Sequence, residues 1–351
     1  MLKKIIFTIL FALLLCVGVF GYYYAKSKTT IEQFISPIFH RDFTEKISVR
    51  VVNNFQLDSS NSKELSTLNK VPRYLVYNAN TAKVYYAKNS NQKIAPASFT
   101  KLLTAQVSVD LIPITEEITV SAESVQKVPT LLGLKPGEKF LVKDILRGSI
   151  ATSGNDAAQV LADESVRYLG GSKQEFLYYM NKKSELLGMK YSHFANPDGL
   201  DDQNQYSTLE DIAKLVNNVQ KNYPEILAAA NSDMEDIATS SAHGYYYLPN
   251  WNGLLGVYPD VDGLKIAYTE EAGYSTIVTY NTPTLSLVAI VSGTDSYLER
   301  DRAAADLLDA ALIANSISPK RISTYQLNLR YKQWGDLARK IRQELKDQDK
   351  L

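Results

Sequence analysis

Cysteine is almost absent: Cys16 is the single one in 351 residues. No disulfide can form within the chain, so stability rests on a packed core. Histidine is nearly as scarce, with His40, His193 and His243, and neither a Cys cluster nor an HExxH pattern accompanies them. Zinc chemistry has no obvious ligands, and neither a metal nor another cofactor is expected. An excess of one charge is missing too, since Lys+Arg and Asp+Glu number 38 each. A neutral chain gives little electrostatic reason to expect a nucleic-acid partner. Hydrophobic residues at 45% against 22% charged are enough for a globular core, which excludes global disorder. The length allows one large domain or two modest ones.

One long run without charge stands at the start. Lys3 and Lys4 precede the stretch from Ile5 to Gly21, and Tyr22, Tyr23 and Tyr24 follow it. At about 1.5 Å per residue such a helix nearly crosses a hydrocarbon layer. Lysines on the near side and tyrosines on the far side predict a membrane anchor over residues 1–24, with everything after Ala25 extracytoplasmic. A cleaved signal segment, which would leave the protein secreted, is the alternative, but no clean A-x-A site follows the run. Leu15 is bulkier than the residue that usually precedes a lipoprotein cysteine.

Residues 25–70 are polar and irregular and read as a stalk, with a loop-like Asp58-Ser59-Ser60-Asn61-Ser62 and some local structure around Ile47–Phe55. Tyr74–Asn78 and Lys83–Ala87 flank Ala79-Asn80-Thr81, a hairpin pattern. Ser275–Tyr280 and Leu285–Ser292 bracket Asn281-Thr282-Pro283 in the same way. Helical periodicity starts near Ser98 and returns over Val142–Ser149, Asp156–Tyr168, Lys173–Leu187, Thr208–Val219 and Leu298–Ala314. Strands at both ends with helices between predict an α/β (α+β) domain over 71–318: an antiparallel sheet flanked by helices, with a helical insert. Residues 319–351 form a charged C-terminal tail carrying Trp334, Leu337, Ile341 and Leu345 at helical spacing. It is expected as a solvated helix, with docking on a membrane or a partner as the alternative.

Three short words carry possible chemistry. In Ser98-Phe99-Thr100-Lys101 the helical i, i+3 spacing lets the amine reach the hydroxyl. A desolvated lysine near other cations can lose its proton near neutral pH and act as a base. The spacing alone is weak, because Ser60/Lys63 and Ser124/Lys127 share it and a solvated helix face is the commoner meaning. Ser153-Gly154-Asn155 comes 55 residues later (153 minus 98) at a turn opening a helix, where Ser and Asn also serve as ordinary caps. Lys265 in Val261-Asp262-Gly263-Leu264-Lys265-Ile266-Ala267-Tyr268 comes 112 residues after that (265 minus 153). Its bland meaning is an exposed strand lysine.

In this order and with these intervals, the three words resemble the penicillin-binding and serine β-lactamase superfamily. Lys93–Lys101, Leu146–Ala158, Phe194-Ala195-Asn196-Pro197-Asp198-Gly199-Leu200 and Glu271-Ala272-Gly273-Tyr274 narrow the resemblance to D-alanyl-D-alanine carboxypeptidases. It extends over about Val71 to Ala314. The resemblance implies a β-lactamase/transpeptidase-like fold, peptidoglycan stem peptides as substrate and β-lactams as inhibitors. Ser98 would be the nucleophile and Lys101 its base. Ser153 would relay a proton, and Asn155 would position Lys101 or the substrate amide. Lys265 would supply charge for the terminal carboxylate, and the amides of Ser98 and Tyr268 would hold the oxyanion.

The third motif departs from the family's Lys-Thr/Ser-Gly, because Ile266 offers no hydroxyl and Ala267 adds a methyl. A lost hydrogen bond to a charged group costs about 1.5–3 kcal/mol. A weak relative that binds muropeptides or β-lactams with little turnover therefore stands as the alternative. A serine β-lactamase is a further one, against which the Phe194–Leu200 and Glu271–Tyr274 words speak. A Ser-His-Asp hydrolase is remoter still, since no G-x-S-x-G elbow occurs.

Overall fold

The computed structural model describes residues 43–52 and 54–347. The expected anchor over 1–24, Cys16 and His40 lie outside them. Among the described residues no helix is long and apolar enough to cross a membrane. The chain divides into Met1–Lys46, of which only the helical residues 43–46 are described, and a compact unit Ile47–Leu351.

In the compact unit the elements run β1 (Arg73–Asn78), β2 (Val84–Lys88), α1 (Thr100–Leu111), β3 (Glu117–Thr119) and β4 (Lys139–Leu141). There follow α2 (Val142–Ile150), α3 (Asn155–Tyr168), α4 (Lys173–Leu186), α5 (Leu209–Asn222), α6 (Pro224–Asn231), β5 (Met234–Ile237) and β6 (Tyr246–Pro249). The chain closes with β7 (Val261–Ala267), β8 (Tyr274–Asn281), β9 (Ser286–Thr294), α7 (Tyr297–Ala314) and α8 (Thr324–Asp347). Five strands form one antiparallel sheet in the order β2-β1-β9-β8-β7, so the first hairpin pairs with the last strand. The helical insert lies between β2 and β7, as the strand-helix-strand pattern predicts.

The central strand β9 is apolar on both faces because both are covered. Leu287, Ala289 and Val291 pack against Ala304, Leu308 and Leu312 of α7. Val288 and Ile290, fully buried, point the other way by the two-residue alternation of a strand. On that second face Tyr77 of β1 donates to the Ala213 carbonyl of α5, 3.2 Å. Helix ends are fixed by side chains: Thr208 accepts from the Asp211 amide and Ser296 from the Glu299 amide.

Two boundaries differ from the sequence reading. The polar stretch expected as a stalk to residue 70 belongs to the compact unit from Ile47 onward. Ile47 is fully buried, and Lys183 Nζ donates to the carbonyls of Ile47 (2.6 Å) and Arg50 (3.0 Å). Val52 N adds a bond to Asn218 Oδ1, 2.9 Å. The segment docks through these backbone bonds together with a few scattered apolar side chains, Ile47, Leu65 and Leu68, which follow no regular period. The second difference is α8. It forms the expected helix, but its first half is packed and not solvated, with Leu327 and Trp334 buried and Trp334 edge-on to Trp251. The short β3–β4 and β5–β6 ribbons and α6 lie below the length at which a period is readable.

Candidate active site

Ser98 sits in a single 3-10 turn, Ala97–Phe99, that opens α1. Ala97 adopts a left-handed φ of 45° and Ser153 one of 65°, a conformation that costs side-chain-bearing residues energy and collects at functional sites. Gly199, at φ 87°, lies against the Ala97 carbonyl so closely that any Cβ there would collide with it. Two of these turns meet at Ser98, and Ser153 and Gly199 line one cleft with it.

Helix α1 is buried on nearly every side, and Lys101, Thr104 and Gln106 find partners inside. Thr104 Oγ1 donates to the Pro197 carbonyl, 2.7 Å, and Gln106 is bonded by Asn218. Lys101, fully buried, donates to Ser98 Oγ (2.8 Å), Asn155 Oδ1 (2.7 Å) and the Asp198 carbonyl (2.5 Å). All three acceptors are neutral. Burial lowers the amine to about 8, Asp198 and Asp156 pull it back up, and Lys127 pushes it further down. Losing one proton leaves two N–H donors for the two carbonyl-type oxygens and a lone pair facing Ser98 Oγ. The 2.8 Å contact then reverses, with the hydroxyl donating to the amine. This is the geometry of a base aimed at a nucleophile.

Asn155 and Asp156 also secure the loop over the site. Asn155 Nδ2 donates to the Val128 carbonyl, and its amide N–H to that of Thr130. The Asp156 carboxylate accepts from the amides of Leu132, Gly133 and Leu134. Asn155 makes the contact with Lys101 that one of its two expected roles requires. Beneath this loop lies a cleft of about 370 Å³ lined by Ser98, Ser153, Asn155, Trp251, Ile266 and Tyr268, among others.

Lys265 differs from its expectation. It is not exposed and does not line the cleft: it is buried in β7, and its amine donates to the carbonyl of the neighbouring Ile266, 3.1 Å. Burial holds it well below its ordinary pKa, and the cations Lys101 and Arg300 press in the same direction. The competing pairs fall away. Lys63 is exposed, while Ser124 donates to Asp163 and Lys127 pairs with Asp198. His193 and His243 bond to nearby backbone carbonyls and neither lines the cleft.

Three groups escaped the sequence reading. Asp198 contributes a carbonyl to Lys101 and a carboxylate to Lys127, 2.8 Å. Its place in the turn-forming Asn196-Pro197-Asp198-Gly199 was the available signal. Lys127 on the loop is the second. The third is Arg300, buried on α7 and bidentate to Asp301, with a bond to the Trp251 carbonyl. Nothing in its helix distinguishes it from a surface charge.

Fold and site together define the class: a transpeptidase/β-lactamase fold with a Ser-Lys pair at the head of its central helix. The crystal structure of the carboxypeptidase DacD from Francisella tularensis superposes with a TM-score of 0.64, at 26% identity, covering 71% of each chain. The Streptomyces K15 DD-transpeptidase shares the fold with a TM-score of 0.65 over 69% of this chain and 97% of that one, at 23% identity. Residues 64–296 match the family described as D-alanyl-D-alanine carboxypeptidase, and the chain belongs to that family. It is 33% identical to DacF of Bacillus subtilis over 236 residues and 34% identical to DacD of Escherichia coli over 240. Those alignments span 66% and 65% of this chain and 59% of each relative.

Proposed function

We propose that this protein is a serine D,D-carboxypeptidase that releases the last residue of peptidoglycan stem peptides ending in D-Ala-D-Ala. The observation that carries the reading is the Lys101 amine, buried, poised near pH 8 and held by neutral acceptors 2.8 Å from Ser98 Oγ. Neutral Lys101 takes the Ser98 proton as Oγ attacks the penultimate carbonyl. The amides of Ser98 and Tyr268 receive the developing oxyanion. Ser153, facing the same cleft, passes the proton to the departing amine, the C–N bond breaks, and the peptide remains as a Ser98 ester. Water then hydrolyses that ester. Arg300 supplies positive potential for the terminal carboxylate, and Lys265 joins it where substrate entry turns its amine from the Ile266 carbonyl and protonates it.

The same reading puts the domain outside the cell, tethered by the uncharged Ile5–Gly21 run. Protease shaving of intact cells should remove the domain, and survival of the domain would count against this location.

Release of D-alanine from a D-Ala-D-Ala peptide, together with a penicillin adduct detected by intact mass, tests the chemistry. Ser98→Ala should abolish both. A second reading, a muropeptide-binding relative without useful turnover, is favoured by Ile266 and by the turn of the Lys265 amine toward its own strand. Neither adduct nor D-alanine from the wild-type protein would establish that reading instead.

A further inference from the structure

Next to the cleft lies a second cavity, also about 370 Å³. Six aromatic rings surround it in an unbroken succession. Tyr268 lies 4.4 Å from Tyr274 between centroids, Tyr274 6.2 Å from Tyr297, and Tyr297 4.8 Å from Tyr331. Tyr331 is 5.8 Å from Trp334, and Trp334 is 5.7 Å from Trp251. The two ends of this horseshoe, Tyr268 and Trp251, also line the catalytic cleft, and so does Ile266. The cage therefore adjoins the site of attack, with these three apolar or aromatic side chains at the junction. Helix α8 supplies Tyr331 and Trp334, so the cage exists only because that helix is docked.

One cation lines this apolar cage: Arg300, 3% exposed. Its Nε and Nη2 are taken by Asp301, at 2.7 and 2.8 Å, and Asp301 is held in turn by Tyr331 Oη, 2.7 Å. A guanidinium gripped on its Nε/Nη2 edge keeps its Nη1 hydrogens on the opposite side. An occupant matched to this chemistry has a carboxylate and a bulky hydrocarbon side chain. A methyl, about as large as the ~30 Å³ of one water, would leave the cage nearly empty.

We propose that the aromatic cage is the subsite for the residue being released, and that it selects peptides ending in a D-amino acid with a large apolar or aromatic side chain over those ending in D-alanine. The inference rests on the carboxypeptidase reading above and specifies its leaving group. The carboxylate of the terminal residue approaches Arg300 while its side chain lies among the rings; the bond broken is still the one behind the penultimate D-alanine.

The test uses the full-length protein and three synthetic peptides identical except for the last residue, ending in D-Ala-D-Ala, D-Ala-D-Leu or D-Ala-D-Phe. Release of the free D-amino acid is followed by chromatography. D-leucine or D-phenylalanine should leave with a kcat/KM at least tenfold above that of D-alanine. In Trp334→Ala this ratio should fall toward one, and Trp334→Phe should restore part of it. A ratio of two substrates on one sample does not depend on the folded fraction, so partial unfolding cannot imitate the result. Turnover with a wild-type ratio at or below one, or a ratio unmoved by Trp334→Ala, overturns the proposal while leaving the carboxypeptidase reading intact. No release from any peptide overturns both.

Discussion

Two fully buried lysines, Lys101 at the cleft and Lys183 beneath the N-terminal segment, face the same problem and solve it differently. Each has lost its water and must spend its N–H groups on protein oxygens. Lys183 meets a carboxylate, Asp110 Oδ2 at 2.9 Å, along with Tyr223 Oη at 2.8 Å and the carbonyls of Ile47 and Arg50. Lys101 meets only neutral oxygens, and the two carboxylates close to it are engaged elsewhere, Asp198 with Lys127 and Asp156 with the Leu132–Leu134 amides. Burial lowers both amines, but at Lys183 a directly bonded carboxylate opposes the fall, whereas at Lys101 the bonded oxygens are neutral and the opposing carboxylates act only from a distance. Lys183 thereby straps the N-terminal segment to the domain, while Lys101 is left with a neutral acceptor, Ser98 Oγ, that it can deprotonate.

The largest expected effect comes from breaking the strap. Lys183→Met removes the amine and leaves the Asp110 side chain, 1% exposed, without its counter-charge. Removing one member of a buried ion pair costs about 3–5 kcal/mol, and urea unfolding of the folded domain should show a loss of that size. Lys183→Met combined with Asp110→Leu should recover at least half, because the uncompensated charge is gone. A single variant as stable as the wild type would show that the pair does no more than fill space.

The contrast between the two lysines also marks what the sequence could reveal. The Ser98/Lys101 spacing was visible, but it was shared by Ser60/Lys63 and Ser124/Lys127. What separates them is the exposure of Lys63 and the Lys127–Asp198 pair, which belong to tertiary structure. The sheet was legible because strand alternation and turn residues are local, and β1, β8 and β9 fall within a residue or two of their expected limits. The Asp198 contribution was not, since any residue carries a carbonyl and only the fold decides where it points. Residues 47–70 read as a stalk because their few docking side chains, Ile47, Leu65 and Leu68, are too scattered to show an apolar period. Lys265 read as a carboxylate-binding lysine with an exposed strand lysine as its bland alternative. Gly263 and Ala267, on its own face of β7 and both buried, were the signal that this face points inward.

A smaller effect, in rate and not in stability, follows from giving Lys101 what Lys183 has. Asn155→Asp places a carboxylate where a neutral oxygen now lies 2.7 Å from the amine. The base works when deprotonated, so penicillin acylation by the wild type should rise with pH and level off above about 8. A carboxylate favours the ammonium form and raises the amine, so the rise moves to higher pH and the rate at pH 7 falls about tenfold, the equivalent of one pKa unit. A variant whose profile coincides with that of the wild type would mean that Lys101 is not the group being titrated.

The smallest effect tests the same balance from a distance. Lys127, 21% exposed in its side chain, pushes the Lys101 amine down as a like charge and also neutralises the Asp198 carboxylate, which pulls it up. Lys127→Ala removes the first influence and releases the second, so both changes raise Lys101. Solvent screens a partly exposed charge, and such pairs are worth about 0.2–1 kcal/mol, which limits the slowing of acylation at pH 7 to about fivefold at most. High salt should shrink the difference between variant and wild type, because it weakens the influence that the variant lacks. The sign is the informative part. Faster acylation in Lys127→Ala at pH 7 would mean that the loop restrains Ser98 or the entering substrate more than it tunes the base. The neutral-acceptor account of Lys101 would then have to give way to one based on access to the cleft.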